Sequence, residues 1–107
     1  MVSQGDASYQ ASMNNTFSWL GKLVDKTDAN GGYFAAANLD GSGASGVKYV
    51  DDNALTGMAF LAAYDVTSGS TQADYLTAAQ NCAKWLINSG QWDTDFGGGF
   101  WLSLIHI

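Results

Sequence analysis

Two adjacent carboxylates, Asp51 and Asp52, stand in the run Tyr49-Val50-Asp51-Asp52-Asn53-Ala54-Leu55, directly ahead of an apolar segment with helical spacing. At a helix start both feel the positive end of the helix dipole, which favours negative charge, while their mutual repulsion opposes simultaneous ionisation. One ionised and one protonated carboxyl is what a retaining glycosidase needs, the first as nucleophile and the second as general acid and then base. Aspartate is also among the commonest helix caps, so either residue would serve as an N-cap, and the two roles are compatible. A second set of candidates, Trp92, Asp93, Asp95 and Trp101, flanks the turn Gly97-Gly98-Gly99. Aromatic rings near a cleft stack on sugar faces, and Asp93 and Asp95 either bind hydroxyls or stabilise the turn. The three glycines permit positive φ and close backbone approach. They lack the Lys-Ser/Thr of a phosphate-binding loop.

The groups that would position these side chains belong to a small unit, because 107 residues allow one domain at most. Apolar residues make up 47% of the chain and aromatic ones 13%, which argues against disorder. Charged residues reach only 13%, against roughly 25% in a soluble domain, so part of the surface is expected to be covered by other structure. With a net charge of −6 and four basic residues, a nucleic-acid partner is disfavoured, and neutral or cationic ligands fit better. Cys82 is the single cysteine, which rules out an internal disulfide and a cysteine zinc cluster. It shares a helix face with Tyr75, Ala79 and Leu86 and reads as a small core residue. Neither a metal nor a cofactor is implied. No run approaches the roughly 18 apolar residues of a membrane span. The segment Met1 to Asp6 lacks the parts of a signal peptide, so an exported parent protein, extracellular or in the cell envelope, would carry its signal upstream.

Periodicity predicts three helices. The first runs from about Ala7 to Asp25, with Tyr9, Met13, Thr16, Phe17, Leu20, Leu23 and Val24 on one face. The second follows Asp52 and turns Leu55, Met58, Ala59, Leu61 and Ala62 to the core, ending near Gly69. The third opens on a capping-box pattern, Thr71-Gln72-Ala73-Asp74, and carries Tyr75, Leu76, Ala79, Cys82, Leu86 and Ile87 as far as Ser89-Gly90. A Gly/Ser/Asn-rich loop from about Ala29 to Lys48 separates the first two, and Gly31-Gly32-Tyr33-Phe34 within it forms a short strand or a turn.

The first and third helices repeat one another. A shift of 66 positions aligns Ala7 with Ala73, Tyr9 with Tyr75, Asn15 with Asn81, Trp19 with Trp85 and Leu20 with Leu86. It also aligns Gly31, Gly32 and Phe34 with Gly97, Gly98 and Phe100, so the glycine-aromatic signature recurs along with the helix. Trp19 and Trp85 therefore read as packing residues. A unit of helix, glycine-rich loop and helix needs neighbours to bury its apolar face, and closed arrays of such hairpins are α/α toroids with a sugar-binding cleft at one rim. The expected fold class is all-α, with helical hairpin repeats forming part of an (α/α)6 toroid that is incomplete in this chain.

The motifs Tyr49-Val50-Asp51-Asp52-Asn53-Ala54, Gly57-Met58-Ala59-Phe60-Leu61-Ala62-Ala63-Tyr64, Tyr75-Leu76 and Trp92-Asp93-Thr94-Asp95-Phe96-Gly97-Gly98-Gly99-Phe100-Trp101 resemble family 76 glycoside hydrolases. Members of that family are endo-α-1,6-mannanases with an (α/α)6 barrel. The resemblance covers roughly residues 6 to 101. It implies Asp51 as nucleophile and Asp52 as general acid/base. It also implies a cleft lined by Tyr49, Trp92, Asp93, Asp95 and Trp101, and a polysaccharide or oligosaccharide substrate. The chain departs from the family's usual pattern at Leu55-Thr56, where bulky aromatics are common, and at Phe96, where a cysteine often stands. Sugar epimerases and unsaturated glucuronyl hydrolases are alternative α/α-toroid enzymes, and a non-catalytic glycan-binding helical module is an alternative of another class. Residues 1–101 are expected to be a fragment of one catalytic domain. The last six, Leu102 to Ile107, can be encoded by the transposon-adapter end used to prepare sequencing libraries, and otherwise read as an apolar strand. The adapter reading gives His106 no functional role.

Overall fold

The computed structural model describes residues 7–89. It contains three helices, α1 at Ala7–Gly21, α2 at Val50–Asp65 and α3 at Gly69–Asn88, and two isolated antiparallel bridges. The chain is all-α in the described region, as its periodicity predicts. No helix among the described residues is long and apolar enough to cross a membrane.

α1 stops four residues before the expected end. The amides of Lys22, Leu23 and Val24 bond three residues back, to Trp19, Leu20 and Gly21, which closes the helix with a tight last turn. Leu23 and Val24 keep the helical phase in the sequence but bury themselves from irregular backbone. Val24 bridges to Tyr33, while Leu23 is 4% exposed. The predicted short strand at Gly31 to Phe34 is this single bridge. Asp25 then accepts the Thr27 backbone amide, an Asx turn that turns the chain into the loop.

α2 starts earlier than predicted, at Val50, so Asp51 and Asp52 occupy its first turn and Tyr49 takes the N-cap position with extended backbone. Neither aspartate is the cap residue. The helix also presents a different face. Asn53, Gly57, Phe60 and Ala63 are buried, whereas Leu55, Met58 and Leu61 are 64%, 66% and 48% exposed. Both stripes are rich in apolar residues, and packing decides between them. Phe60 supplies a full aromatic ring to the core, and Gly57 allows α3 to approach so closely that a Cβ there would lie 3.1 Å from the Cys82 Cβ. α3 likewise begins before its expected capping box, at Gly69 after Ser68, leaving Thr71 and Asp74 inside the helix. The inward stripe of α3, Tyr75, Ala79, Cys82 and Trp85, keeps the predicted face at its first three members, while Ile87 is exposed.

The core is an aromatic cluster between the three helices. Phe17 of α1 lies 5.0 Å from Phe60 and 5.3 Å from Tyr75, ring centroid to centroid, and Tyr33 lies 5.8 Å from Phe60. Tilted rings at these separations contribute about 0.5–1.5 kcal/mol per pair beyond the area they bury. Leu23, Ala63, Ala79 and Cys82 fill the space around them. Tyr33 is a loop residue, so the loop is part of the core. Trp85 is buried and Trp19 half-buried, both packed rather than presented. Tyr9, by contrast, is 59% exposed where its repeat counterpart Tyr75 is 7% exposed, so the two helices occupy unequal environments.

Candidate active site

Asp51 and Asp52 are exposed in the first turn of α2, and the burial of Asn53 beside them explains why. Successive helical residues project about 100° apart, so a residue that points inward at position 53 turns its two predecessors outward. The Asp52 backbone amide donates to Asp51 Oδ1 at 2.9 Å. This bond holds one oxygen of Asp51 and leaves the other open to solvent. Asp52, also exposed, stands next to it on the same turn.

Asn53 is 0% exposed, and its amide is fully engaged by backbone. Oδ1 accepts the Tyr33 amide at 2.7 Å, and Nδ2 donates to the carbonyls of Tyr33 at 3.2 Å and Tyr49 at 2.8 Å. The side chain therefore joins the loop at Tyr33 to the start of the helix. Each of these bonds is worth about 1 kcal/mol net, and losing one side leaves buried backbone unpaired at a cost of about 1–3 kcal/mol.

Ahead of the aspartates, Lys48 makes a second attachment. Its Nζ lies 2.9 Å from Asp25 Oδ2, 2.8 Å from Asp28 Oδ2 and 3.1 Å from the Gly31 carbonyl, which uses all three ammonium protons. The same ammonium sits 5.7 Å from the Trp85 ring centroid and 5.8 Å from that of Phe34. Burial alone would raise the Asp25 carboxyl, but hydrogen bonds from Thr27 and Lys48 outweigh it and hold its pKa at about 2. The Lys48 hydrogen bond, with one from the Asn30 amide, keeps Asp28 below the ordinary carboxylate range. Burial pulls the Lys48 ammonium down, yet its bonds to Asp28 and Asp25 carry it above the usual lysine value. Asp25 and Asp28 are both engaged by Lys48, and among the described residues no group of His, Cys, Asp or Glu is placed to hold a metal ion.

Gly32 makes room for this arrangement. Its φ is +84°, and a Cβ there would fall 2.7 Å from Trp85 Cγ. Only glycine combines that backbone with that closeness. Cys82 is 1% exposed, and burial pushes its thiol up to about 12, so it packs and does not act as a nucleophile.

Of the residues singled out in the sequence, Asp51 and Asp52 stand exposed on the first turn of α2, and Tyr49 precedes them as the N-cap residue. Tyr49 is half-buried, and its backbone carbonyl accepts both the amide and the side chain of Asn53. Trp92, Asp93, Asp95 and Trp101 lie outside the described residues. Sequence reasoning missed Asn53 and Lys48. Asn53 carries one signal, a polar residue four positions before Gly57 and seven before Phe60 on what is now the inward face. Lys48 had only its rarity as one of four basic residues. Comparisons with protein-family models, curated proteins and solved structures give no match to this chain.

Proposed function

We propose that the chain is part of a retaining glycoside hydrolase that acts on α-mannan, with Asp51 as nucleophile and Asp52 as general acid/base. The observation that carries this reading is the presentation of the pair. Two carboxylates stand exposed on one helical turn whose neighbours on either side, Lys48 and Asn53, are tied into the loop. A capping role alone would not require either anchor, and neither aspartate is the cap residue. The α-1,6-mannan substrate rests on the resemblance of the Tyr49 to Tyr64 and Trp92 to Trp101 motifs to family 76 glycoside hydrolases.

The two apolar stripes of α2 support the toroid part of this reading. A helix with apolar residues on all sides belongs inside a larger assembly, and α2 is apolar both on its packed face and on the stripe Leu55, Met58 and Leu61. Beside that stripe an apolar groove of about 240 Å³ runs between α2 and α3, lined by Ala54, Met58, Leu61, Ala83 and Leu86 among others. Further helices of an (α/α)6 ring would fill it.

The test is cleavage of α-1,6-mannan by the complete protein and by Asp51→Asn and Asp52→Asn. The proposal expects polymer cleavage that falls by at least about 10³-fold in either variant. Undiminished activity in both variants would leave a glycan-binding module or another catalytic centre as the answer.

A further inference from the structure

We propose that Lys48 and Asn53 are positioning residues for the Asp51–Asp52 pair, two pins that hold four residues of backbone against one loop. The inference rests on the reading of that pair as catalytic. Lys48 attaches the chain three residues before Asp51, and Asn53 attaches it one residue after Asp52. The Lys48 partners Asp25, Asp28 and Gly31 and the Asn53 partner Tyr33 lie on the same segment, while Asn53 also bonds the Tyr49 carbonyl at the helix start. With both pins in place, the start of α2 can neither slide along the loop nor rotate about its own axis.

Apolar contacts would stabilise a helix start as well as these groups do. What they lack is direction. A hydrophobic face tolerates small rotations, whereas an amide with three backbone partners and an ammonium with three oxygens each admit one setting. Both pins are protected from water, since Asn53 is fully buried and the Lys48 side chain is 14% exposed. Trp85 and Phe34 close over the ammonium. The turn bearing the carboxylates is consequently fixed from beneath while its outer side stays open. A displacement of about 1 Å in such a turn costs on the order of 10²-fold in rate.

The experiment compares Lys48→Met, Lys48→Arg, Asn53→Ala and Asp28→Asn in the complete protein. It measures kcat, KM and melting temperature on mannan, together with hydrogen exchange of the amides from Val50 to Ala54. Ala79→Gly, a destabilising change within α3, is the control for loss of stability alone. The expected result is a fall in kcat on the order of 10²-fold for Lys48→Met and Asn53→Ala, with KM moved less than about 3-fold. Lys48→Arg, which keeps the charge but not the fit of one ammonium to three oxygens, should recover only part of the loss, and exchange should rise at the start of α2 but not in α3. Should Lys48→Met fail to fold, Asp28→Asn, which removes one of the two ion pairs, is expected to lower kcat by about 3- to 10-fold. Unchanged kcat in folded variants, or an equal loss in Ala79→Gly, would overturn the proposal. A wild-type protein inactive on mannan whose variants still loosen the start of α2 would instead refute the glycosidase reading and leave the pins standing.

Discussion

The two aspartates differ in what the protein does with them. Asp51 Oδ1 is held by the Asp52 amide, whereas Asp52 contributes only its backbone to that bond. A nucleophile needs a fixed line of approach, and an acid/base needs freedom to reach first the leaving oxygen and then water. A substrate whose leaving group needs no proton bypasses the acid. On an activated aryl mannoside, Asp52→Asn is therefore expected to retain bond cleavage that Asp51→Asn loses, as read from release of the aryl alcohol. Equal loss in both would deny the division of roles. Of the two pins, only the Lys48 cluster titrates. Asp25 has its folded pKa depressed, so its contribution to stability is complete above 3.8 and is lost as pH falls toward about 2. Lys48 has its folded pKa raised, so its contribution holds below 10.5 and is lost as pH rises through the higher folded value. Thermal melts of the complete protein should show no change from this cluster between those limits and a decline on the acid side that Lys48→Met makes shallower. Asn53 shows why such residues escape a reading of sequence. An asparagine after two aspartates looks like loop chemistry, and only its three backbone partners, two of them twenty positions away, make it structural.

At the scale of elements, α3 is readable from the stripe Tyr75, Ala79 and Cys82, whereas α1 is readable only in part, since Tyr9 and Thr16 of its expected face are exposed. α2 was misread in face because it has two. Leu55, Met58 and Leu61 score as well as Gly57, Phe60 and Ala63 by hydrophobicity, and the choice is made by the fit of Gly57 against Cys82 and of Phe60 against Phe17 and Tyr75. The start of α2 was placed late for a related reason. Asp is among the commonest cap types, but here the N-cap is Tyr49, which makes no side-chain capping bond, and the carboxylates stand in the first turn at the positive end of the dipole. The loop between α1 and α2 reads in sequence as a Gly/Ser/Asn-rich connection with a short strand or turn, and it carries Tyr33 into the core and Gly32 against Trp85. Gly32→Ala forces a side chain into both a positive φ and the Trp85 ring, and should lower stability by about 2 kcal/mol or more. Gly21→Ala meets nothing within 4 Å at the end of α1 and should be neutral or stabilising by up to about 1 kcal/mol. Chemical denaturation of the complete protein carrying each change checks the pair, and equal effects would contradict the packing described at Gly32.

For the molecule as a whole, the exposed stripe on α2 is where the helices of the proposed ring would pack. Three large apolar residues about one turn apart, beside an apolar groove, form the kind of patch that drives association when uncovered. The 107 residues expressed alone are expected to self-associate and to be inactive. Changing Leu55, Met58 and Leu61 together to Gln should shift sedimentation toward monomer, and a wild-type chain that is monomeric with a cooperative melt would contradict this. The most direct test of the whole account is the anomeric configuration of the first product released from α-1,6-mannan by the complete protein, followed by proton NMR. Retention of the α configuration, lost together with all cleavage in Asp51→Asn, is the expected result. Inversion, or cleavage that persists without the Asp51 carboxylate, would contradict it.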